Sequence, residues 1–213
     1  MNAADCDLSI DLTDDGKASD LSKGGHAYCW AGVRGLWGVE QPGRYFFTMC
    51  VTAHSEVTVA IPDSERHLAR FGVSVLGCPL DALGESTEFD SFAFGGTGKA
   101  SSRGNFLSYG SAWGIGDNLG CALDLASTPA TIGFYLNGSP LGIAFTIPQQ
   151  PGQAFFPHLM LKNLQVQVDL DPPTCPQGFA SWAPNGGAGR VAGPRPAPQD
   201  CELIVLVGLP GSG

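Results

Sequence analysis

Charge is the scarcest ingredient of this 213-residue chain. Only 15% of its residues are Asp, Glu, Lys or Arg, against ~25% in an average domain. Basic residues are the rarer half, 11 against 20 acidic, which leaves a net charge of −9. A duplex-binding surface needs a basic stripe. None is visible, so the chain by itself is not expected to bind DNA or RNA. Long apolar runs are missing too. The longest, Leu203–Leu209, falls far short of the ~20 residues of a spanning helix, and no membrane association is expected. The N-terminus is acidic and lacks a basic-then-apolar leader, so the chain reads as intracellular. Seven cysteines are present, but no Cys-x-x-Cys pair. An odd number at wide spacing does not look like a zinc ribbon or a disulfide framework and reads as structural, reduced thiols, with Cys50 and Cys121 as small buried hydrophobes in strands. There is no Gly-x-Ser-x-Gly, and the histidines at 26, 54, 67 and 158 stand alone. Neither a nucleophile nor a metal-ligand set is expected.

What is abundant is glycine, 30 residues, together with strict alternation. The clearest case is Gly116–Phe145. Leu119, Cys121, Leu123 and Leu125 alternate, then Ile132, Phe134 and Leu136, and Asn137-Gly138 leads into Leu141–Phe145. Period-two patterning predicts strands with one buried face. Asn-Gly predicts a tight type I′ hairpin. Arg44–Val51 is apolar on both faces, as a central strand should be. Residues 5–12, Val57–Ile61, Ala69–Val75, Ser91–Phe94, Ala154–Leu161 and Gln165–Leu170 read as further strands. Pro62–His67 and Cys78–Asp90 read as loops, and Gly95–Gly104 as flexible. His26–Val39 is glycine-rich and aromatic, and its Trp30 and Trp37 suit either core or contact roles. About a dozen short strands with no convincing helix predict an all-β, antiparallel β-sandwich.

Composition shifts at Asp171. Residues 172–200 are rich in Pro, Gly and Ala and read as a linker after a sandwich domain spanning 1–171. Residues 201–213 then run an apolar strand into Gly208-Leu209-Pro210-Gly211-Ser212-Gly213. This matches the first six positions of a Walker A loop, whose backbone N–H groups cradle phosphates. Gly208, Gly211, Ser212 and Gly213 are its candidate nucleotide-binding residues. The lysine and Ser/Thr of that motif would follow, so the chain reads as part of a longer protein that could bind ATP and magnesium, with no cofactor expected in this portion. Glu85, Glu88 and Asp90 are the one carboxylate cluster on the sandwich. Paired carboxylates would suit a carbohydrate-binding or glycosidic site. Their Gly, Ser and Thr neighbours favour a solvated loop.

The order of motifs resembles a SPRY domain. It rests on Arg44-Tyr45-Phe46-Phe47, Phe71-Gly72-Val73-Ser74, Gly116-Asp117 before Gly120-Cys121-Ala122-Leu123-Asp124, Phe134-Tyr135-Leu136-Asn137-Gly138, and Leu141–Phe145. Asn2–Leu8, Trp30-Ala31-Gly32, Phe156-Pro157-His158 and the closing CELIVLVGLPGSG resemble the heterogeneous nuclear ribonucleoprotein U-like family. In that family a SPRY domain precedes a P-loop, polynucleotide-kinase-like domain. The resemblance implies a concanavalin-like jelly roll without catalysis, acting as a protein-interaction module, here monomeric, in a nuclear RNA-processing protein. DNA and RNA would be bound by regions outside this chain. It also implies partner binding at loops on one edge of the sandwich. Trp37, Arg66, His67, Arg70, Arg103, Tyr109 and Trp113 are the candidates, since Arg and aromatic residues are enriched in interface hot spots.

Overall fold

Alternation along the chain resolves into strands that stack in two antiparallel sheets. The computed structural model describes residues 1–20, 24–147, 152–182 and 190–191. In chain order the strands are β1 (Ile10–Leu12), β2 (Lys17–Asp20), β3 (Ala31–Arg34), β4 (Trp37–Gly38), β5 (Arg44–His54), β6 (Leu68–Ser74), β7 (Ser91–Gly95) and β8 (Lys99–Ser102). They continue as β9 (Asn105–Ser108), β10 (Asn118–Asp124), β11 (Ala130–Leu136), β12 (Ser139–Ile147), β13 (Phe156–Lys162), β14 (Leu164–Asp169), β15 (Ala180–Ser181) and β16 (Arg190–Val191). A single helical turn, α1 (Asp63–Arg66), precedes β6. The larger sheet runs β1-β2-β14-β5-β10-β11-β12, with β15 paired to β5. The smaller runs β3-β13-β6-β7-β8-β9, and β4 pairs with β16. Among the described residues no helix is long and apolar enough to cross a membrane.

β5 is central because both its faces are apolar. It lies between β14 and β10, with Phe47 opposite Cys121 and Met49 opposite Leu119. Cys121 in turn stands opposite Phe134 on β11. These inward side chains meet those of the smaller sheet. Phe47 packs on Phe71 at 4.8 Å between ring centroids, and Phe134 packs on Phe94 at 5.5 Å. The expected hairpin is present, and both of its central residues, Asn137 and Gly138, take positive φ, 51° and 78°. Asn137 also accepts a hydrogen bond from the Asn118 N–H and donates one to Asp117, each 2.8 Å. The turn is thereby tied to the entry of β10.

Three expectations change. Val57–Ile61 is not a strand; of its apolar side chains only Ile61 reaches the interior. Gly95–Gly104 is ordered, since Lys99–Ser102 pairs with Asn105–Ser108 across a two-residue turn with positive φ at Arg103 and Gly104. The stretch read as a linker from 172 begins with a docked segment. β15 adds in parallel to β5, and Trp182 is 1% exposed, packed on Phe47 at 5.1 Å and donating from Nε1 to the Trp37 carbonyl. A large aromatic gains too much by leaving water for low local periodicity to predict it.

The long loop after β6 is pinned to the smaller sheet by buried polar groups. Arg34 on β3 pairs with Asp5 and donates to the carbonyls of Val75 and Cys78. His158 on β13 donates from Nε2 to the Leu80 carbonyl, so Nδ1 accepts from the Ser74 hydroxyl at 2.8 Å. Burial, reinforced by the Arg34 charge, pushes the His158 pKa down to about 3. The folded state therefore holds it neutral.

Two outcomes follow from this packing. Phe134→Ala and Trp182→Ala should each lower the unfolding free energy by about 3–5 kcal/mol in urea titration, while Ile143→Ala, at a residue 68% exposed, should change it by no more than ~0.5 kcal/mol. An unchanged Trp182→Ala midpoint would show that the 172–182 segment is dispensable. The second concerns pH. Unfolded His158 regains a pKa near 6.5, so between about pH 6.5 and 3 the unfolded chain binds a proton that the fold does not. Stability from this residue is complete above ~6.5 and declines by about 1.4 kcal/mol per pH unit as pH falls. Compared with the parent between pH 6 and 5, His158→Gln should remove that part of the slope. Parallel curves would reject the assignment.

Candidate interaction surface on the smaller sheet

The outer face of the smaller sheet carries a cleft built from residues distant in sequence. Arg70 stands on β6 with its side chain largely buried. Its guanidinium carbon lies 5.0 Å from the Trp30 ring centroid and 4.9 Å from that of Phe106 on β9. The group also pairs with Glu85 at 2.5 Å and donates to the Leu83 carbonyl. A cation between two aromatic faces is held in place by ring quadrupoles as well as by the carboxylate. Beside it opens a cavity of about 70 Å³ lined by Trp30, Arg70, Gly96, Lys99, Ser101 and Phe106. The Ser101 hydroxyl, on a residue 1% exposed, has no hydrogen-bond partner. Lys99 is exposed and forms no ion pair within 4.0 Å among the described residues. The cleft thus offers two aromatic walls and an ammonium unpaired among the described residues.

The seven residues singled out from sequence do not form one surface. Arg70 belongs to the cleft. Arg103 stands in the adjoining β8–β9 turn, and its side chain, 61% exposed, pairs with Asp90 at 2.9 Å. Arg66 and His67 lie at the junction of α1 and β6. Arg66 pairs with Asp63 and donates to the Ile61 carbonyl, and the His67 ring stacks on His54 at 3.8 Å. His67 Nδ1 also meets the Asn163 carbonyl, and the Asn163 amide donates to the carbonyls of Ala27 and Arg66. That junction is a structural knot. Trp113 is 8% exposed and packs on Phe94. Tyr109 donates its hydroxyl to the Gly142 carbonyl and accepts from the Phe134 N–H, so it braces β11 against β12; burial raises its pKa. Trp37 is half-buried on β4 and supplies the carbonyl that anchors Trp182. The candidate nucleotide-binding residues Gly208, Gly211, Ser212 and Gly213 lie outside the described residues.

Other groups that invite a catalytic reading are already committed. Glu85 is held by Arg70, and Asp90 by Arg103 and the Gln153 amide. Glu88, the third member, is exposed and has no ion pair among the described residues, so two of the three carboxylates serve as loop scaffolding. Ser74 and His158 have the hydroxyl-to-imidazole contact of a nucleophile and its base. Both are fully buried, and the depressed imidazole pKa leaves a poor base at neutral pH. Among the described residues no group of three or more His, Cys, Asp or Glu could hold a metal ion. Burial raises the Cys121 thiol pKa, whereas Cys50, expected to be buried, is half-buried and Cys29 is exposed; all six described cysteines are free. Sequence reasoning missed Lys99, Phe106 and Leu107. Their signal was the alternation of Lys99–Ser102 and Asn105–Ser108 around Arg103-Gly104, obscured by surrounding glycine and serine.

Comparison with known proteins places this geometry. The SPRY domain family model matches residues 55–172. The chain is 32% identical over 194 residues to mouse heterogeneous nuclear ribonucleoprotein U-like protein 2, covering 86% of this chain and 25% of that protein. It is 36% identical over 193 residues to the Drosophila melanogaster ATP-dependent RNA helicase Ddx1, covering 83% of this chain and 24% of that protein. The chain therefore spans about a quarter of the length of these curated relatives. A crystal structure of a human SPRY domain superposes with a TM-score of 0.60 at 19% identity, covering 78% of this chain and 98% of the other. The SPRY domain of human HERC1 gives 0.56 at 16% identity, covering 77% and 96%. The two-sheet sandwich, the order of its strands' motifs and the family match agree: this chain belongs to the SPRY domain family.

Proposed function

We propose that this chain is a non-catalytic protein-interaction module and that the cleft around Arg70 is part of its partner-binding surface. The carrying observation is the guanidinium held between Trp30 and Phe106 beside the unpaired Lys99. Pre-positioned aromatic and cationic groups lose little freedom on binding, which is what an interface anchor needs. The acidic balance of the chain argues against nucleic acid as its own direct ligand. Similarity to an hnRNP U-like protein and to an RNA helicase supports a setting in RNA processing, and in the nucleus. The division into a sandwich, a linker and the start of a P-loop domain stays part of this reading, with the sandwich extended to Trp182. Gly208–Gly213 would then open a nucleotide-binding domain of the longer protein, related to polynucleotide kinases and using ATP and magnesium. A Lys followed by Ser or Thr immediately after Gly213 in the full sequence is required by that part of the proposal.

The surface is tested by capture from nuclear extract with the parent chain and with Lys99→Glu, Phe106→Ala and Arg66→Glu variants, each checked for an unchanged thermal midpoint. Proteins retained by the parent should be lost or reduced at least tenfold with Lys99→Glu and Phe106→Ala, the scale of a hot-spot truncation. They should persist with Arg66→Glu. The reverse pattern would move the surface to the α1 corner.

A further inference from the structure

A β-sandwich has four free edges, and each exposes backbone N–H and C=O groups that could pair with another chain. Three edges of this one are closed or blunted. Residues 2–7 lie along β3, with Asn2 N donating to Arg34 O, Arg34 N to Asp5 O and Asp7 N to Gly32 O. β1 is only three residues long and carries Asp11. β12 contains Pro140 and breaks register against β11 between Ile132 and Tyr135, where the Tyr109 hydroxyl takes the Gly142 carbonyl. The fourth edge, β9, is different. All four of its residues are exposed, Phe106 at 43% and Leu107 at 65%.

Its hydrogen-bonding pattern follows from the turn. Ser102 and Asn105 flank the two-residue Arg103-Gly104 turn, in which both residues have positive φ. They therefore form a hydrogen-bonded pair, and bonding alternates from there. Asn105 and Leu107 direct their backbone groups to β8. Phe106 and Ser108 direct theirs outward. Beyond Ser108 the chain is tied back, since the N–H groups of Tyr109 and Gly110 both bond the Gly98 carbonyl. The open ladder is thus two residues wide, with four groups unused among the described residues.

The side chains around this ladder select an occupant. Lys99 stands opposite Ser108 on the outer face. Ser108 is small, so Lys99 can reach over it to a residue on the next strand, about 10 Å away at two strand spacings. Of the carboxylates at this corner, Glu85 and Asp90 are held by Arg70 and Arg103, and the exposed Glu88 makes no ion pair with Lys99. A carboxylate supplied from outside is what Lys99 lacks. On the inner face Leu107 continues the row of Phe94 and Ala100 and is uncovered. An apolar side chain laid beside it would extend the core.

Building on the interaction-module reading, we propose that β9 is a strand-addition site for an extended acidic peptide of a partner protein. The peptide pairs antiparallel with Phe106–Ser108. It places a carboxylate opposite Ser108 within reach of Lys99, an apolar residue opposite Leu107, and an aromatic or β-branched residue opposite Phe106. Because the strand runs antiparallel, these residues come in that order from the peptide's N-terminus. Its backbone occupies the outward groups of Phe106 and Ser108, a mode in which main-chain bonds give affinity and alternate side chains give specificity.

The probe is a fluorescein-labelled heptapeptide, Thr-Thr-Glu-Val-Tyr-Thr-Ser, titrated against the 213-residue chain by anisotropy. Saturable binding is expected, weakening with salt. N-methylation of the Glu or the Tyr nitrogen, each facing β9, should weaken it at least tenfold, and N-methylation of Val no more than twofold. Exchanging the peptide Glu for Lys should cost about tenfold, with much of the loss recovered on Lys99→Glu protein. Equal effects of the three N-methylations, absence of charge-swap recovery, or no saturation at about 1 mM would each overturn strand addition. Strand addition also falls if sedimentation shows a dimer that Ser108→Pro dissolves, because the edge then serves a second copy of the chain. The two readings fail separately. If Lys99→Glu and Phe106→Ala still lose partners from extract while the peptide fails, the module stands without this mode. If neither variant loses partners, the module surface itself is wrong.

Discussion

The constraint on which this structure depends is the meeting of aromatic side chains from the two sheets. Phe47 and Phe134 come from the larger sheet, Phe71 and Phe94 from the smaller, and all four are fully buried. Their centroids lie 4.8 to 6.3 Å apart in tilted pairs. Tilted contacts fill the space between layers without the repulsion of face-to-face stacking. The pleat then follows, because side chains alternate and a one-residue slip would turn every inner ring to water. Phe47, Cys121 and Phe134 lie on one row of the larger sheet, so the registers of β5, β10 and β11 are fixed together. The outer face of the smaller sheet is partly covered by a loop, whose Leu83 packs on Ala93 and Met160.

The loops are held by paired polar groups as well as by apolar burial, with Leu83 buried against Ala93 and Met160. Arg34 and His158 secure residues 75–80, Asn163 secures the corner around Ala27 and Arg66, and Arg70 and Arg103 secure Glu85 and Asp90. A buried polar group left without a partner costs roughly 1–3 kcal/mol, so each clamp specifies a single loop position. The clamps also decide what remains for binding. Most arginines of this acidic chain are spent internally, and the basic group left uncommitted at the cleft is Lys99. A surface poor in charge can still be selective when a cation without an ion pair among the described residues stands beside two rings and an open strand edge.

The fold was legible where local signals agreed with tertiary need. β10, β11 and the Asn137-Gly138 turn follow from alternation and from a turn type that needs positive φ twice. β5 follows from being apolar on both faces. The site was far less legible. Trp30, Arg70, Lys99 and Phe106 converge through the pairing of β6 with β7, β7 with β8 and β8 with β9, and no local pattern encodes that convergence. Residue type also misled. Tyr109 and Trp113 have the composition of contact residues, yet one braces a sheet edge and the other lies in the core. An aromatic side chain has the same chemistry in a hot spot and in a core, and only its burial separates the two.

Boundaries show the same division between local and non-local information. The family match begins at residue 55, but β5 ends at His54 and lies at the centre of the larger sheet. Without β5, both β10 and β14 would lose a neighbour and Phe47 would leave the aromatic cluster. The match ends at 172, but Trp182 packs on Phe47 and Tyr45 from the other side. Both extensions converge on the same strand. The cooperative unit is therefore set by what β5 must bury, not by where recognisable motifs start and stop. It takes in the N-terminal segment sealing β3 and Trp182 against β5, and β16 pairs with β4 beyond it. Among the described residues its one unsealed edge is then a property of the whole sandwich, because the other three are closed or blunted by segments or local devices that the fold itself supplies.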